Sequence, residues 1–382
     1  MAFNFDEGID RRHSDSSKWN KYSDEVLPMW VADMDFRSPP CIIDALRQRV
    51  EHGVFGYGVR PKALIEVIIQ RMANLYQWQV KPEWIVILPG VVAGLNISVR
   101  AFTSPDESTI APTPIYPPFR KSSAFATRSQ LNAPLRLENG RWIMDLPSLE
   151  AQLTGKEKLL MLCNPQNPGG TVYSREELQQ QLAFAQRHDL VVCSDEIHCD
   201  LLLDRDAQHI PFATLSADAE QRSITLLSPS KTFNIAGLGA SFAIIPDPLL
   251  RQRFNATREG IVPGVDVLAL TAATAAWQEG DAWLQALLPY LRRNRDRLVG
   301  AINNMPGLTM TAPQATYLGW VDATALPVDN PTLFFQQAGL GFSPGADFGE
   351  AKFVRINFGC TSANLEEAIK RMAAAVQSVN AA

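Results

Sequence analysis

Three short apolar runs in the middle of the chain each end in residues able to do chemistry. Residues 159–163 lead into Asn164-Pro165-Gln166-Asn167-Pro168, and residues 190–193 into Ser194-Asp195-Glu196-Ile197-His198. Residues 224–227 lead into Ser228-Pro229-Ser230-Lys231, and a fourth run, 241–245, follows and closes at Pro246. Runs this short and this apolar read as buried strands. Between the first two lies a helical stretch to about Asp189, opened by a capping box from Ser174 to Glu177. Strand and helix alternate in this way through the middle of the chain. The fold class expected is α/β, with a mostly parallel central sheet, helices on both faces, and a smaller α+β domain over the last hundred residues. In such a sheet, ligand groups gather at the carboxyl ends of the strands.

A chain of 382 residues exceeds one ordinary core and is expected to divide in two. The division drawn is a large domain over 46–285, and a discontinuous small one built from an N-terminal arm, 1–45, with 286–382. The net charge is −5 and no basic block occurs, which argues against nucleic acid as the main partner. No apolar stretch reaches membrane-spanning length, and the opening residues lack the basic-then-apolar pattern of a secretory signal. Five cysteines, odd in number and without Cys-x-x-Cys spacing, suit reduced packing residues in a cytoplasmic enzyme. No metal site is expected.

Lys231 is the most informative single residue. Most lysines keep their ammonium in water, but this one sits just past an inner strand among small hydroxyls and apolar neighbours. Withdrawal from water lowers proton affinity and leaves a usable amine nucleophile or base. Ser228-x-x-Lys231 also matches a serine-hydrolase signature, but the Ser-Asp-Asn and Lys-Thr-Gly elements that should accompany it are missing. Asp195 closes a strand, where a plain N-cap is the competing role. Residues 84–88, Pro89-Gly90 and the helical run from Val91 and Val92 form a strand, a turn and a helix start, an arrangement suited to phosphate. Tyr116 lies in a proline-rich segment, 112–119, read as a rigid loop holding an aromatic ring. A packed structural tyrosine is equally consistent with that spacing. Gly56-Tyr57-Gly58 reads as a flexible loop with an exposed tyrosine. The run 352–358 carries Arg355, suited to gripping a carboxylate with two bonds. The charged face at Arg292, Arg293, Arg295, Asp296 and Arg297 reads as a solvated helix surface.

These residue types together suit pyridoxal 5'-phosphate. A lysine forms a Schiff base with it, an acid faces its ring nitrogen, and amides and serine hold its phosphate. The stretches 29–36 (Met-Trp-Val-Ala-Asp-Met-Asp-Phe), Gly56-Tyr57-Gly58, Pro89-Gly90-Val91-Val92, Asn167-Pro168, Asp195-Glu196-Ile197-His198 and 228–238 occur in the order found in fold-type-I pyridoxal phosphate enzymes. The chain most closely resembles the MalY/PatB-type cystathionine β-lyases, a group of class I/II aminotransferase-like C–S lyases, over nearly its whole length. The resemblance implies that Lys231 is the Schiff-base lysine, Asp195 contacts the pyridine nitrogen, and Asn167 with His198 contacts the ring hydroxyl. Tyr116 stacks on the ring and joins Lys231 and Asp195 as a catalytic residue. Val91, Val92, Ser228 and Ser230 lie at the cofactor, and Tyr57 reaches the site of a second subunit in a homodimer. Arg355 and Ala32 meet the substrate.

Two departures separate the chain from the wider aminotransferase pattern: Gly239 stands where many carry a phosphate-binding arginine, and His198 where many carry tyrosine. Both favour the lyase group. The activity implied is α,β-elimination on L-cystathionine or a related cysteine S-conjugate, giving a thiol, pyruvate and ammonia. An aminotransferase with the same cofactor site, or a pyridoxal phosphate-binding regulatory protein with little turnover, are the alternatives.

Overall fold

The computed structural model describes residues 3–380. Eight strands form one sheet in the order Ile85–Leu88, Ser241–Ile244, Ser223–Leu227, Val191–Asp195, Glu157–Cys163, Ser108–Thr113, Ser129–Glu138 and Arg141–Met144. Only Ser241–Ile244 and Arg141–Met144 run against their neighbours. The expected α/β class with a mostly parallel sheet is therefore present. Along Glu157–Cys163 the side chains alternate between two cores. Leu159, Met161 and Cys163 join one, with Leu95, Leu226 and Phe254. Leu160 and Leu162 join the other, with Val192, Leu182 and Phe184. A strand covered on both faces loses the apolar–polar alternation of a half-exposed one, and each such leucine contributes about 1.5–3 kcal/mol by leaving water.

The parallel core strands stay in register at their ends: Cys163 lies opposite Asp195, and Asp195 opposite Leu226. The residues that follow these strands emerge along one edge. The helix Val91–Phe102 packs on the same face of the sheet and against Pro248–Arg258.

A second, antiparallel sheet joins Thr309–Met310, Leu318–Asp322, Phe353–Asn357 and Ser343–Pro344. The arm contributes the two-residue strand Leu27–Pro28, which pairs with Leu340–Gly341. The divisions drawn at 45/46 and 285/286 both fall inside helices, Pro40–Glu51 and Asp281–Ile302. Pro40–Glu51 packs along Val267–Glu279.

Three local expectations need correction. The proline-rich stretch is not one loop: Pro112 and Thr113 end the strand Ser108–Thr113, and Pro117 opens the helix Pro117–Phe125. Pairing with Glu157–Cys163 stops at Ile110, before the proline that could not donate, and Pro at a first helical position loses no bond. Ser129–Glu138 and the edge strand Arg141–Met144 beside it are not expected from the sequence, because exposed and half-buried positions follow no clean period there. The arginine run is not uniformly solvated. Arg295 is buried and bonded to Asp204, Asp296 and the carbonyl of Pro313.

Candidate active site

A cavity of about 360 Å³ opens at the edge where the parallel strands end. Ala32, Val91, Val92, Tyr116, Asn167, Asp195, His198, Ser230, Lys231 and Arg355 all line it. One expected member does not. Ser228 is buried behind the wall, with its hydroxyl donating to the carbonyl of Ala240 and accepting from the amide of Ser230. Its donor is spent inside the loop, so it shapes the turn that presents Ser230. Tyr57 is fully exposed on the loop after Pro40–Glu51 and lies outside the cavity of its own chain.

Lys231 follows the strand Ser223–Leu227, and Asp195 ends its parallel neighbour. Lys231 Nζ donates to the carbonyl of Ala32 at 2.8 Å. Burial, helped by the like charge of Arg355, lowers its pKa to about 8. Burial raises Asp195 to about 7, against the backbone amide of Ile197 that donates to Oδ1. Among the described residues Asp195 has no cation within ion-pair distance. It is a buried acid without a cationic partner, in place to meet a protonated ring nitrogen.

Arg355 is the converse. It is buried, yet it pairs with no carboxylate among the described residues. It donates to Asn167 Oδ1 at 3.0 Å, to the carbonyl of Trp30 at 2.9 Å and to Ser343 Oγ at 3.3 Å, and it lies over the ring of Phe348. Its Nε has no acceptor. Neutral acceptors and an aromatic face offset only part of the several kcal/mol that taking a cation out of water costs. Burial lowers its pKa to about 10, so it stays charged at neutral pH. A ligand carboxylate would complete the arrangement.

The segment 30–36 gives the cavity Trp30, Val31 and Ala32. Asn234, in the left-handed conformation at φ 56°, donates to the carbonyls of Met34 and Phe36 and accepts from the amide of Met34. Asn357 donates to the carbonyls of Val31 and Asp33. Beneath the segment, fully buried Lys18 meets Asp35 at 2.8 Å, and Arg11 bridges Asp33 and Asp35. The Ala32 carbonyl that receives Lys231 also receives the hydroxyl of Tyr317, at 3.0 Å.

The residues present fit pyridoxal phosphate. The helix Val91–Phe102 starts at Gly90 with no side chain capping it, which leaves its first amides free at the cavity wall. His198, lowered to about 3 by burial, is a neutral imidazole, and its Nδ1 has no partner. A Cβ at Gly239 would sit 2.5 Å from the carbonyl of Pro89. The Pro89–Gly90 turn therefore leaves no room for a side chain at 239 unless it shifts, the arginine of many aminotransferases included.

Several lining residues have no role assigned from the sequence: Lys21, Cys163, Ile197, Ala236, Ser343, Pro344, Asp347 and Phe348. Trp30 and Val31 lay within the quoted arm motif without an assigned role. Cys163 and Ile197 adjoin strand ends and were open to the same argument that found Asp195. Ala236 lies within the quoted stretch 228–238 without an assigned role, and the others come from the arm, the small sheet and the short helix after Ser343–Pro344, where no local pattern signals the cavity.

The Aminotransferase class I and II family model matches residues 24–372. Cystathionine beta-lyase PatB of Bacillus subtilis is 38% identical, over 98% of this chain and 100% of its own. The crystal structure of a protein called OvoB is 62% identical with a TM-score of 0.97, covering 98% of this chain and 100% of that one. The pyridoxal phosphate-bound C–S lyase of Staphylococcus hominis is 31% identical with a TM-score of 0.92, over 98% of both chains. With these likenesses running the length of the chain, it belongs to the aminotransferase class I and II family and, within it, to the MalY/PatB-type cystathionine β-lyases, pyridoxal phosphate-dependent C–S lyases of fold type I.

Proposed function

We propose that the protein cleaves the C–S bond of L-cystathionine or a related cysteine S-conjugate. Water is consumed, and a thiol, pyruvate and ammonia are released. The observation that carries this reading is one cavity holding a buried amine of lowered pKa and a buried guanidinium with no carboxylate of its own.

Arg355 grips the α-carboxylate and fixes the Cα–H bond relative to Lys231. The bound cofactor supplies an electron sink joined to the substrate nitrogen. Lys231, neutral for part of the population near pH 7, takes the proton from Cα. Asp195 as a carboxylate would face the ring nitrogen of the bound cofactor and keep it protonated by ion pairing. Asn167 and His198 hold the ring hydroxyl, and the free amides at Val91 and Val92 with Ser230 hold the phosphate. Tyr116, kept protonated by burial, and the newly protonated Lys231 are the two proton donors for the departing sulfur. The released three-carbon enamine hydrolyses to pyruvate and ammonia.

The same reading extends to the assembly. The large unit runs from about Pro40 into the start of Asp281–Ile302, and the arm belongs with the small sheet it pairs with. Tyr57 projects toward the cavity of a second copy in a homodimer, and the enzyme works in the cytoplasm.

The test is incubation of the holoenzyme with L-cystathionine, measuring thiol and pyruvate. Equimolar release, lost in Lys231→Ala, is the expected result. Keto acid that forms only with an added acceptor keto acid would make the protein an aminotransferase instead. A yellow protein inert toward every amino acid offered would make it a binder.

A further inference from the structure

Glu196 follows Asp195 directly, is fully buried and does not line the active-site cavity. Its Oε1 accepts from Ser194 Oγ at 2.8 Å and from the amide of Phe212 at 3.0 Å, and its Oε2 lies 2.8 Å from His209 Nε2. With the imidazole hydrogen on Nε2, all three partners donate, and the acid is satisfied as a carboxylate without a proton of its own. His209 is buried too, and its Nδ1 has no partner. A second proton on that ring would find no acceptor. The hydrogen bonds therefore describe a neutral imidazole donating to an anion.

No cation among the described residues cancels that charge. His209 lines a second cavity, of about 560 Å³, together with Arg71, Arg205 and Arg292. Arg71 meets Asp200 at 2.8 Å and Asp281 at 3.2 Å, Arg292 donates to the carbonyls of Leu202 and Leu203, and none of the three arginines bonds Glu196. The other titratable groups on this side are Tyr76, edge-on to the His209 ring, and the buried thiol of Cys199. A buried charge without a counter-ion is costly, and here the acid beside it in the chain, Asp195, lacks a cation as well. Successive side chains at a strand end point to opposite faces. Glu196 thus shares the side of Ser194, and Asp195 lines the active-site cavity. Burial first, and then the Glu196 charge, raise the proton affinity of Asp195. A cationic ring nitrogen at Asp195 would give both acids a counter-charge.

We propose that Glu196 is a positioning residue that acts through Asp195: its buried negative charge holds the proton between Asp195 and the cofactor's ring nitrogen against loss to solvent. Ser194, His209 and the Phe212 amide hold that charge in place. The proposal rests on Asp195 facing the ring nitrogen.

The test follows protonation of the ring nitrogen by nitrogen-15 NMR of the holoenzyme, loaded with labelled pyridoxal phosphate and titrated with pH. Glu196→Gln keeps the shape and removes the charge, so the pH at which the nitrogen loses its proton is expected to fall by about one unit. His209→Lys leaves Glu196 in place and cancels its charge from the second cavity. It should move the midpoint the same way, and it decides the matter if Glu196→Gln does not fold. Glu196→Asp keeps the charge and should hold the midpoint even where Tm falls. A midpoint unmoved in either folded charge-cancelling variant, or an equal fall in Glu196→Asp, overturns the proposal. Asp195→Asn, measured beside them, separates the two readings: if it too leaves the nitrogen unmoved, the placement of Asp195 is what fails.

Discussion

Burial acts on Lys231 and Asp195 in opposite directions, and each shift predicts a pH dependence. An amine attacks an aldehyde only when unprotonated. With its pKa lowered to about 8, about a tenth of Lys231 is reactive at pH 7, against well under a hundredth for an ordinary lysine. Cofactor capture by the apoprotein should therefore quicken through pH 8 and level above it, as stopped-flow absorbance would show; a flat profile would remove the lysine from that step. Asp195 is raised from 3.8 to about 7 in the fold, so the apoprotein is destabilised by its ionisation. Stability from this group is whole below about pH 4 and is lost as pH rises toward and through 7. Asp195→Asn should raise the apoprotein Tm at pH 8, leave it little changed at pH 4, and weaken cofactor binding at both. Calorimetry showing no pH-dependent gain would contradict this. Both residues were legible in the sequence because each directly ends or follows an apolar strand. Ser228 was misplaced for the opposite reason: its hydroxyl turns inward to Ala240, and no sequence pattern says which way a loop hydroxyl points.

The arm and the Pro89–Gly90 turn place these groups, and both are open to mutation. Gly239→Arg brings a Cβ against the Pro89 carbonyl, which lies 2.5 Å away. The turn must shift, at a cost of about 1–3 kcal/mol, and the helix start should lose phosphate affinity rather than gain it. An equilibrium titration with the cofactor would decide, and tighter binding would refute the steric account. Asn357→Ala removes two bonds from the segment 30–36. About 1–3 kcal/mol of stability should go with them, and KM should rise more than kcat falls, because Trp30 and Ala32 lie in the released segment. The motif 29–36 was recognisable from sequence, yet its fastening was not. Asn234 and Asn357 lie about two hundred or more residues further along, and single asparagines at such separation leave no periodic trace. The helices Val91–Phe102 and Arg175–Arg187 were legible because a glycine turn, a capping box and the 3.6-residue period are local, whereas Pro117–Phe125 was hidden in a proline-rich stretch read as a loop.

Val54, Phe55, Tyr57 and Val59 all stand exposed on one loop, and exposed apolar groups of this kind mark interaction surfaces when contiguous. Dimerisation through this loop predicts that Tyr57→Ala lowers cofactor affinity although the residue is absent from its own cavity. Sedimentation and titration of that variant check this together, and an unchanged monomeric protein would end the idea. The division of the chain was harder to draw than the sheet, because both cuts drawn from the sequence fall inside helices, Pro40–Glu51 and Asp281–Ile302. The interleaving has a consequence for synthesis. The cavity needs Lys21 and Arg355, so its first wall leaves the ribosome on the order of tens of seconds before its last. Through that interval Lys18 and Asp35 wait in water for the groups that will enclose them. A nascent chain therefore has nowhere to seat its vitamin until translation is almost over, and any product stalled ahead of Arg355 should emerge colourless.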